Sequence, residues 1–233
     1  MGSKNRIAKE ILPIMLKYRT EGMTWVEPFV GGANMIDKIE GKRIANDINS
    51  ELIAMFDALV YGDWKPNLVS IEKYNEIRAN KDQYKTHIIG WVGFNCSYCG
   101  KYFGGFAGET ATKDGLRNYQ TEAINNTLKQ VPKLKGVIFE NKNYFELDIP
   151  PNSLIYCDPP YEGVTCYKDK FDHKYFWNWC REKKKEGHVI FVSEYKAPED
   201  FKCVWEGELK SSLSANSKSG GSKKSTEKLF TIA

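Results

Sequence analysis

Apolar positions along the chain recur at two spacings, and the spacing switches from segment to segment. Ile7, Ile11, Ile14, Met15 and Tyr18 fall on one helical face, in which Pro13 is predicted to introduce a kink or a break. Residues 24–29 read as a buried strand that runs into the glycine turn Gly31-Gly32. A short helix is predicted near 34–39, then a second strand at 42–45 closed by Asn46, Asp47 and Asn49. Ser50 is placed to cap the next helix, whose face is Leu52, Ile53, Phe56, Leu59 and Val60. Strand patterns return at 137–140, 154–157 and 188–193, with an aromatic-rich helix at 174–185 between the last two; 203–205 and 228–232 supply closing strands. Helix and strand periods that alternate in this way predict an α/β fold.

Between residues 61 and 136 the texture changes. The segment is rich in Lys, Asn, Gly and Tyr, and two or three helical stretches surround GWVGFNCSYCGKYFGGFAG. It reads as an inserted, mainly helical region, which leaves 1–60 and 137–233 to form one domain from both ends of the chain. The run SSLSANSKSGGSKKST at 211–226 reads as a flexible basic loop.

Composition narrows the class without choosing a function. With 41% apolar residues, 13% of the chain being aromatic, the sequence is unlike disordered, collagen-like or disulfide-stapled chains. A net charge of +4 permits a nucleic-acid partner but does not demand one. Charges at Lys4, Arg6, Lys9 and Glu10 interrupt the start before a secretory leader can form, and no later stretch is long and apolar enough to cross a membrane. A cytoplasmic protein with reduced thiols is the expectation. Cys96 and Cys99 form one C-x-x-C, and no second Cys or His pair completes a zinc site, so no metal is expected.

The strongest chemical signal is Asp158-Pro159-Pro160-Tyr161, directly after the apolar run Leu154-Ile155-Tyr156-Cys157. Ligands of open α/β sheets gather outside the carboxyl ends of strands. Two prolines stiffen the turn and remove two amide donors, which leaves an acid, carbonyl acceptors and an aromatic plane suited to a flat ring bearing an amine. The carboxylate and the Pro159 carbonyl can accept the two amine hydrogens while Tyr161 stacks on the ring. The bland alternative is a proline-stiffened strand exit with a surface Tyr. A second signal is Glu27-Pro28-Phe29-Val30-Gly31-Gly32 after the first strand, followed one strand later by Asn46-Asp47-Ile48-Asn49. Glycines there let a ligand approach the backbone, and an acid at the next strand end can take a ribose diol; a simple tight turn is the competing reading.

In their order, GSKNR, EPFVGG, NDIN, an insertion and then DPPY, these segments resemble the Dam-like DNA adenine methyltransferases. DPPY is the most specific element, because related enzymes that act on cytosine amines usually carry Ser in place of Asp. The resemblance implies a Rossmann-like methyltransferase sheet with an inserted, mainly helical target-recognition region, S-adenosylmethionine as methyl donor and double-stranded DNA as acceptor, with the target base flipped out. Gly2, Ser3 and Lys4 would then lie near the cofactor, Glu27, Phe29, Gly31 and Gly32 around its methionine part, and Asp47 at the ribose. Asn143 stands where relatives carry Asp to read the cofactor's adenine. Asp158, Pro159, Pro160 and Tyr161 would form the target-base pocket, with Asp158 also facing the cofactor. Ala33 replaces a Gly of many relatives, which a backbone of negative φ would tolerate. A restriction endonuclease as functional partner, and a monomer or weak dimer, fit the same picture. The alternatives are an RNA adenine or cytosine amine as acceptor, or a silent DNA-binding homologue.

Lys101 and Tyr102, in the glycine- and aromatic-rich segment, and Lys218, Lys223 and Lys224, in the basic loop, are the candidate DNA contacts. Core packing of Phe94, Tyr98, Phe103 and Phe106, and a merely solvated charge run, are the competing readings. Ser193-Glu194-Tyr195 ends a strand and can line the target pocket; His173 has no visible triad or cluster.

Overall fold

The computed structural model describes residues 4–112, 115–163, 171–210 and 224–232. The fold is mixed α/β. In chain order its regular elements are α1 (Ala8–Leu16), β1 (Trp25–Glu27), β2 (Arg43–Asn46), α2 (Ser50–Val60), α3 (Ile71–Ala79), α4 (Thr86–Asn95), β3 (Glu109–Thr112), β4 (Gly115–Asn118), α5 (Tyr119–Leu134), β5 (Val137–Glu140), β6 (Leu154–Cys157), α6 (His173–Lys185), β7 (Val189–Glu194), β8 (Phe201–Lys210) and β9 (Lys224–Ile232). Two compact units divide them. The first comprises Met1–Arg6 and Val30–Leu147, the second Ile7–Phe29 and Asp148–Ala233. Among the described residues no helix is long and apolar enough to cross a membrane.

In the second unit β1, β6 and β7 form a parallel ladder, with Trp25 opposite Leu154 and Ile155 opposite Ile190. Every residue of β1 and β6 is buried, and apart from Glu27 their sequences are continuous apolar runs rather than alternations. β9 then pairs antiparallel with β7, and β8 with β9. Because β1, β6 and β7 run parallel, their carboxyl ends share one edge, and that edge carries Glu27, Asp158 and Glu194. β9 starts from the same edge, with Lys228 opposite Glu194, so that Glu227 lies one residue beyond the ladder. Helix α6 buries Phe176, Trp177, Trp179 and Cys180, the spacing expected of one covered face.

The first unit pairs β2 with β5 in parallel, Arg43 opposite Val137 and Asn46 opposite Glu140, and carries the antiparallel β3–β4 hairpin separately. Helices α2 and α4 meet at Gly90, where an added Cβ would stand 2.1 Å from the Glu51 carbonyl oxygen; only glycine permits this approach. The Arg43 guanidinium donates to the carbonyls of Lys133 at 2.7 Å and Lys135 at 2.6 Å, tying the end of α5 to the start of β2. The 61–136 stretch contributes α3, α4, α5 and the hairpin to this unit.

Three local expectations change. Pro13 sits inside α1 without breaking it: Pro13 and Lys9, whose carbonyl loses its partner, are both exposed, so water can satisfy that group. The helix at 34–39 shrinks to a 3-10 turn at Ile36–Lys38, with no side-chain cap and an extended Ile39 behind it. Asn49, not Ser50, caps α2, because its backbone is still extended and its Oδ1 accepts the Leu52 amide at 2.8 Å.

Candidate active site

Each unit holds one part of the predicted site. In the first, the chain leaves β2 through Asn46 and Asp47, and the Asp47 carboxylate is fixed by two amides: Gly31 donates to Oδ2 at 3.1 Å and Asn49 to Oδ1 at 3.0 Å. Burial pushes this carboxyl above the ordinary range, and the two amide donors partly counter it. Gly31 has φ 48° with nothing within 4 Å of the position a Cβ would take, so its backbone is strained for any other residue yet open to a ligand.

Behind the acid stands a network of side-chain amides. Asn46, fully buried, accepts from the Lys142 amide at 2.9 Å and donates to the Lys142 carbonyl at 3.0 Å. Asn141 donates to the Asp47 carbonyl at 2.8 Å. These bonds bring the loop after β5 against the loop after β2, and thereby bring the part-buried Asn143, one residue beyond Lys142, into the same neighbourhood as Asp47. Gln130 of α5 donates to the carbonyls of Gly32 and Ala33, each at 3.1 Å. Ala33 corrects an expectation: its φ is 54°, not negative, and the residue is fully buried. An alanine here carries left-handed strain of about 1–2 kcal/mol, held by the Gln130 bond and by its own amide to the Val30 carbonyl at 2.9 Å. Lys4 is part-buried in a 3-10 turn (Lys4–Arg6) of this unit, while Gly2 and Ser3 lie outside the described residues.

The second unit holds the acid-proline-proline-tyrosine turn, at the carboxyl end of β6 where the apolar run placed it. Asp158 is part-buried, Pro159 is buried and Pro160 is part-buried. Tyr161 donates its hydroxyl to Glu227 Oε2 at 2.7 Å and meets the Tyr195 ring edge-on, with centroids 4.6 Å apart. Burial first, then the charges of Asp158 and Glu227, pushes the Tyr161 hydroxyl well above its ordinary range, so it stays protonated and keeps that bond. Tyr156 is buried beneath the edge, with its hydroxyl 2.8 Å from Ser193 Oγ. Glu27 is buried and accepts the Trp25 indole N–H at 2.8 Å. Phe29 packs edge-on against Phe171 and Phe176, each at 5.8 Å, which places its ring in an aromatic cluster of this unit.

Of the residues expected to touch DNA, Lys101 is exposed, with its aliphatic stem over Gly104. Tyr102 is more engaged than expected: its ring contacts Phe94 at 5.0 Å and Phe103 at 4.8 Å, Lys81 lies 4.4 Å over its face, and the Lys81 ammonium donates to its hydroxyl. Phe94 and Phe103 are buried as core residues, whereas Tyr98 stays 45% exposed. Lys218 and Lys223 lie outside the described residues; the backbone of Lys224 opens β9, and its side chain is not described. Cys96 is buried, its thiol pushed up to about 12 by burial, and Cys99 is exposed. Among the described residues no group of three or more His, Cys, Asp and Glu side chains is arranged to hold a metal ion.

Sequence reasoning named Asn46 only as part of the run 46–49 and gave it no role, did not single out Gln130, Asn141 or Glu227, and set His173 aside. Glu227 is 66 positions from Tyr161, and no local pattern announces that pairing. His173 brings Nε2 to 2.9 Å from the Pro160 carbonyl, a contact that only the return of α6 to the sheet edge creates.

Comparison with known proteins bears on part of the chain. Residues 1–88 match the family model of D12 class N6 adenine-specific DNA methyltransferases. Among solved structures, SMU.472, a provisionally named methyltransferase crystallised with SAH, is similar over 98% of this chain and 52% of that one, at 12% identity and a TM-score of 0.38. The chain thus spans about half the length of that structure.

Proposed function

We propose that this protein transfers a methyl group from S-adenosylmethionine to the exocyclic amine of adenine in double-stranded DNA, acting on a base flipped out of the helix. The observation that carries this reading is the turn Asp158-Pro159-Pro160-Tyr161 at the carboxyl edge of β6, with Tyr161 locked by Glu227 and Tyr195. The family match of residues 1–88, which include Gly31 and Asp47, supports it from the other end of the chain.

The residues present fit the cofactor. Asp47 offers two carboxylate oxygens, each already fixed by one amide and each retaining a further lone pair for a ribose hydroxyl. Gly31 leaves open space beside its backbone, and Asn143 has a carbonyl oxygen able to accept from an adenine amine. Bound there, S-adenosylmethionine would supply an electrophilic methyl carbon on a sulfonium that leaves as a neutral thioether.

On the acceptor side, the Asp158 carboxylate and the Pro159 carbonyl accept the two amine hydrogens and draw the nitrogen lone pair out of conjugation with the ring. That lone pair forms the new bond to carbon, and the amine proton then departs through the Asp158 carboxylate. Tyr161 stacks on the base at roughly 1–3 kcal/mol, offsetting part of the few kcal/mol that unstacking costs. The test is mass spectrometry of nucleosides from unmethylated DNA incubated with the protein and isotopically labelled S-adenosylmethionine. Labelled N6-methyladenine is the expected product; label on cytosine, on RNA only, or on no base would reject the reading.

A further inference from the structure

Two groups that the reaction above leaves without a task converge on the main chain just beyond Asp158. Glu194 ends β7 and is 1% exposed. Its Oε1 accepts the Glu162 amide at 2.7 Å, and its Oε2 accepts the Tyr195 amide. His173, the first residue of α6, places Nε2 2.9 Å from the Pro160 carbonyl and 3.7 Å from Glu194 Oε1. Its ring is also held edge-on by Phe171, with centroids 4.9 Å apart. One imidazole and one carboxylate, themselves neighbours, therefore grip the backbone on both sides of Tyr161.

The sequence of the turn explains why it needs such a grip. Prolines at 159 and 160 remove two amides, so the turn cannot be anchored there by its own donors. The first amide after Tyr161, that of Glu162, goes to Glu194, and the carbonyl of Pro160 receives a hydrogen from His173. Without the clamp, Tyr161 keeps its hydroxyl bond to Glu227 and its contact with Tyr195, but the main chain on either side of it loses the restraints from His173 and Glu194.

We propose that His173 and Glu194 form a two-point backbone clamp that positions the target-base turn, with His173 acting as an Nε2–H donor to Pro160 rather than as an acid or base. Both are positioning residues, and their role in turnover rests on the methyltransferase reading. The experiment joins two readouts on the full-length chain: single-turnover methyl transfer to DNA, and amide hydrogen exchange of Glu162 followed by NMR. His173→Ala is expected to slow transfer by about 10- to 100-fold, with DNA KM and cofactor affinity within about threefold of wild type, and to quicken Glu162 exchange about tenfold or more. His173→Gln, whose amide nitrogen can reach the same carbonyl, is expected to restore both. His173→Asn, which stays polar but is too short, should behave like Ala and serves if the Ala variant does not fold. Unchanged transfer or unchanged exchange in the Ala and Asn variants, or a Gln variant no better than Ala, overturns the clamp. If the wild type transfers no methyl group, the methyltransferase reading falls while the Glu162 exchange rates still decide whether the clamp exists.

Discussion

The residues around Asp47 in the first unit and the turn at Asp158 in the second are held in place by different means. Asp47 is fixed by backbone amides, Gly31 and Asn49, and backed by the side-chain amides of Asn46 and Asn141. The Asp158 turn, stripped of two amides by its prolines, is fixed by acidic and ring side chains: Glu194, Glu227, His173 and Tyr195. The first arrangement makes a fixed surface of neutral partners around one acid, suited to holding a ligand that changes little. The second holds a carboxylate and an aromatic plane at the sheet edge, where, on the proposed reaction, charge develops in the transition state. Binding and chemistry should therefore separate on mutation.

The largest separation is expected from Asp158→Ala. It should reduce methyl transfer by about 10³-fold or more, measured in single-turnover assays, while calorimetry finds cofactor affinity within about threefold of wild type. Asp47→Asn should act the other way, weakening cofactor binding about 10- to 100-fold, the range expected for hydrogen bonds to a charged acceptor. This variant also carries a pH signature. Burial raises the Asp47 pKa, and ribose hydroxyls bind best to the ionised carboxylate, so wild-type affinity should climb as pH rises through that raised pKa and then level off. Asp47→Asn should flatten that part of the profile, and a titration that stays unchanged would contradict the ribose role.

A smaller effect is expected at Tyr161→Phe, which keeps the stacking plane but removes the bond to Glu227. Transfer should slow about two- to tenfold, with little change in cofactor affinity. The smallest effect concerns the helix behind Asp47. Asn49→Ala removes the α2 cap and should cost about 1 kcal/mol in chemical denaturation, whereas Ser50→Ala should stay within about 0.5 kcal/mol.

The same contrast explains what the sequence revealed. β5 and β6 fall at their predicted residues, because short, strand-length, largely apolar runs bounded by polar loops leave little choice. Gly31 and Asp47 were legible together, since a glycine turn after one strand and an acid after the next is a repeating supersecondary pattern, but the hydrogen bond between them was not. Glu194 was visible as a strand end but not as an acceptor for Glu162, and Glu227 was not visible at all, because long-range register decides which acid meets Tyr161. Ala33 was misread because side-chain identity argues for negative φ, while the Val30 and Gln130 bonds impose the opposite. Asn49 and Ser50 are both good caps, and only backbone conformation decides between neighbours.

The account turns on two acids with different tasks, and one measurement addresses both: single-turnover methyl transfer to DNA by Asp47→Asn and Asp158→Ala across a rising concentration of labelled S-adenosylmethionine. Asp47→Asn is predicted to approach the wild-type rate once the cofactor is saturating, and Asp158→Ala to stay inactive at every concentration. An Asp47→Asn variant that saturates far below wild type, or an Asp158→Ala variant rescued by more cofactor, would contradict the division of labour on which the account rests.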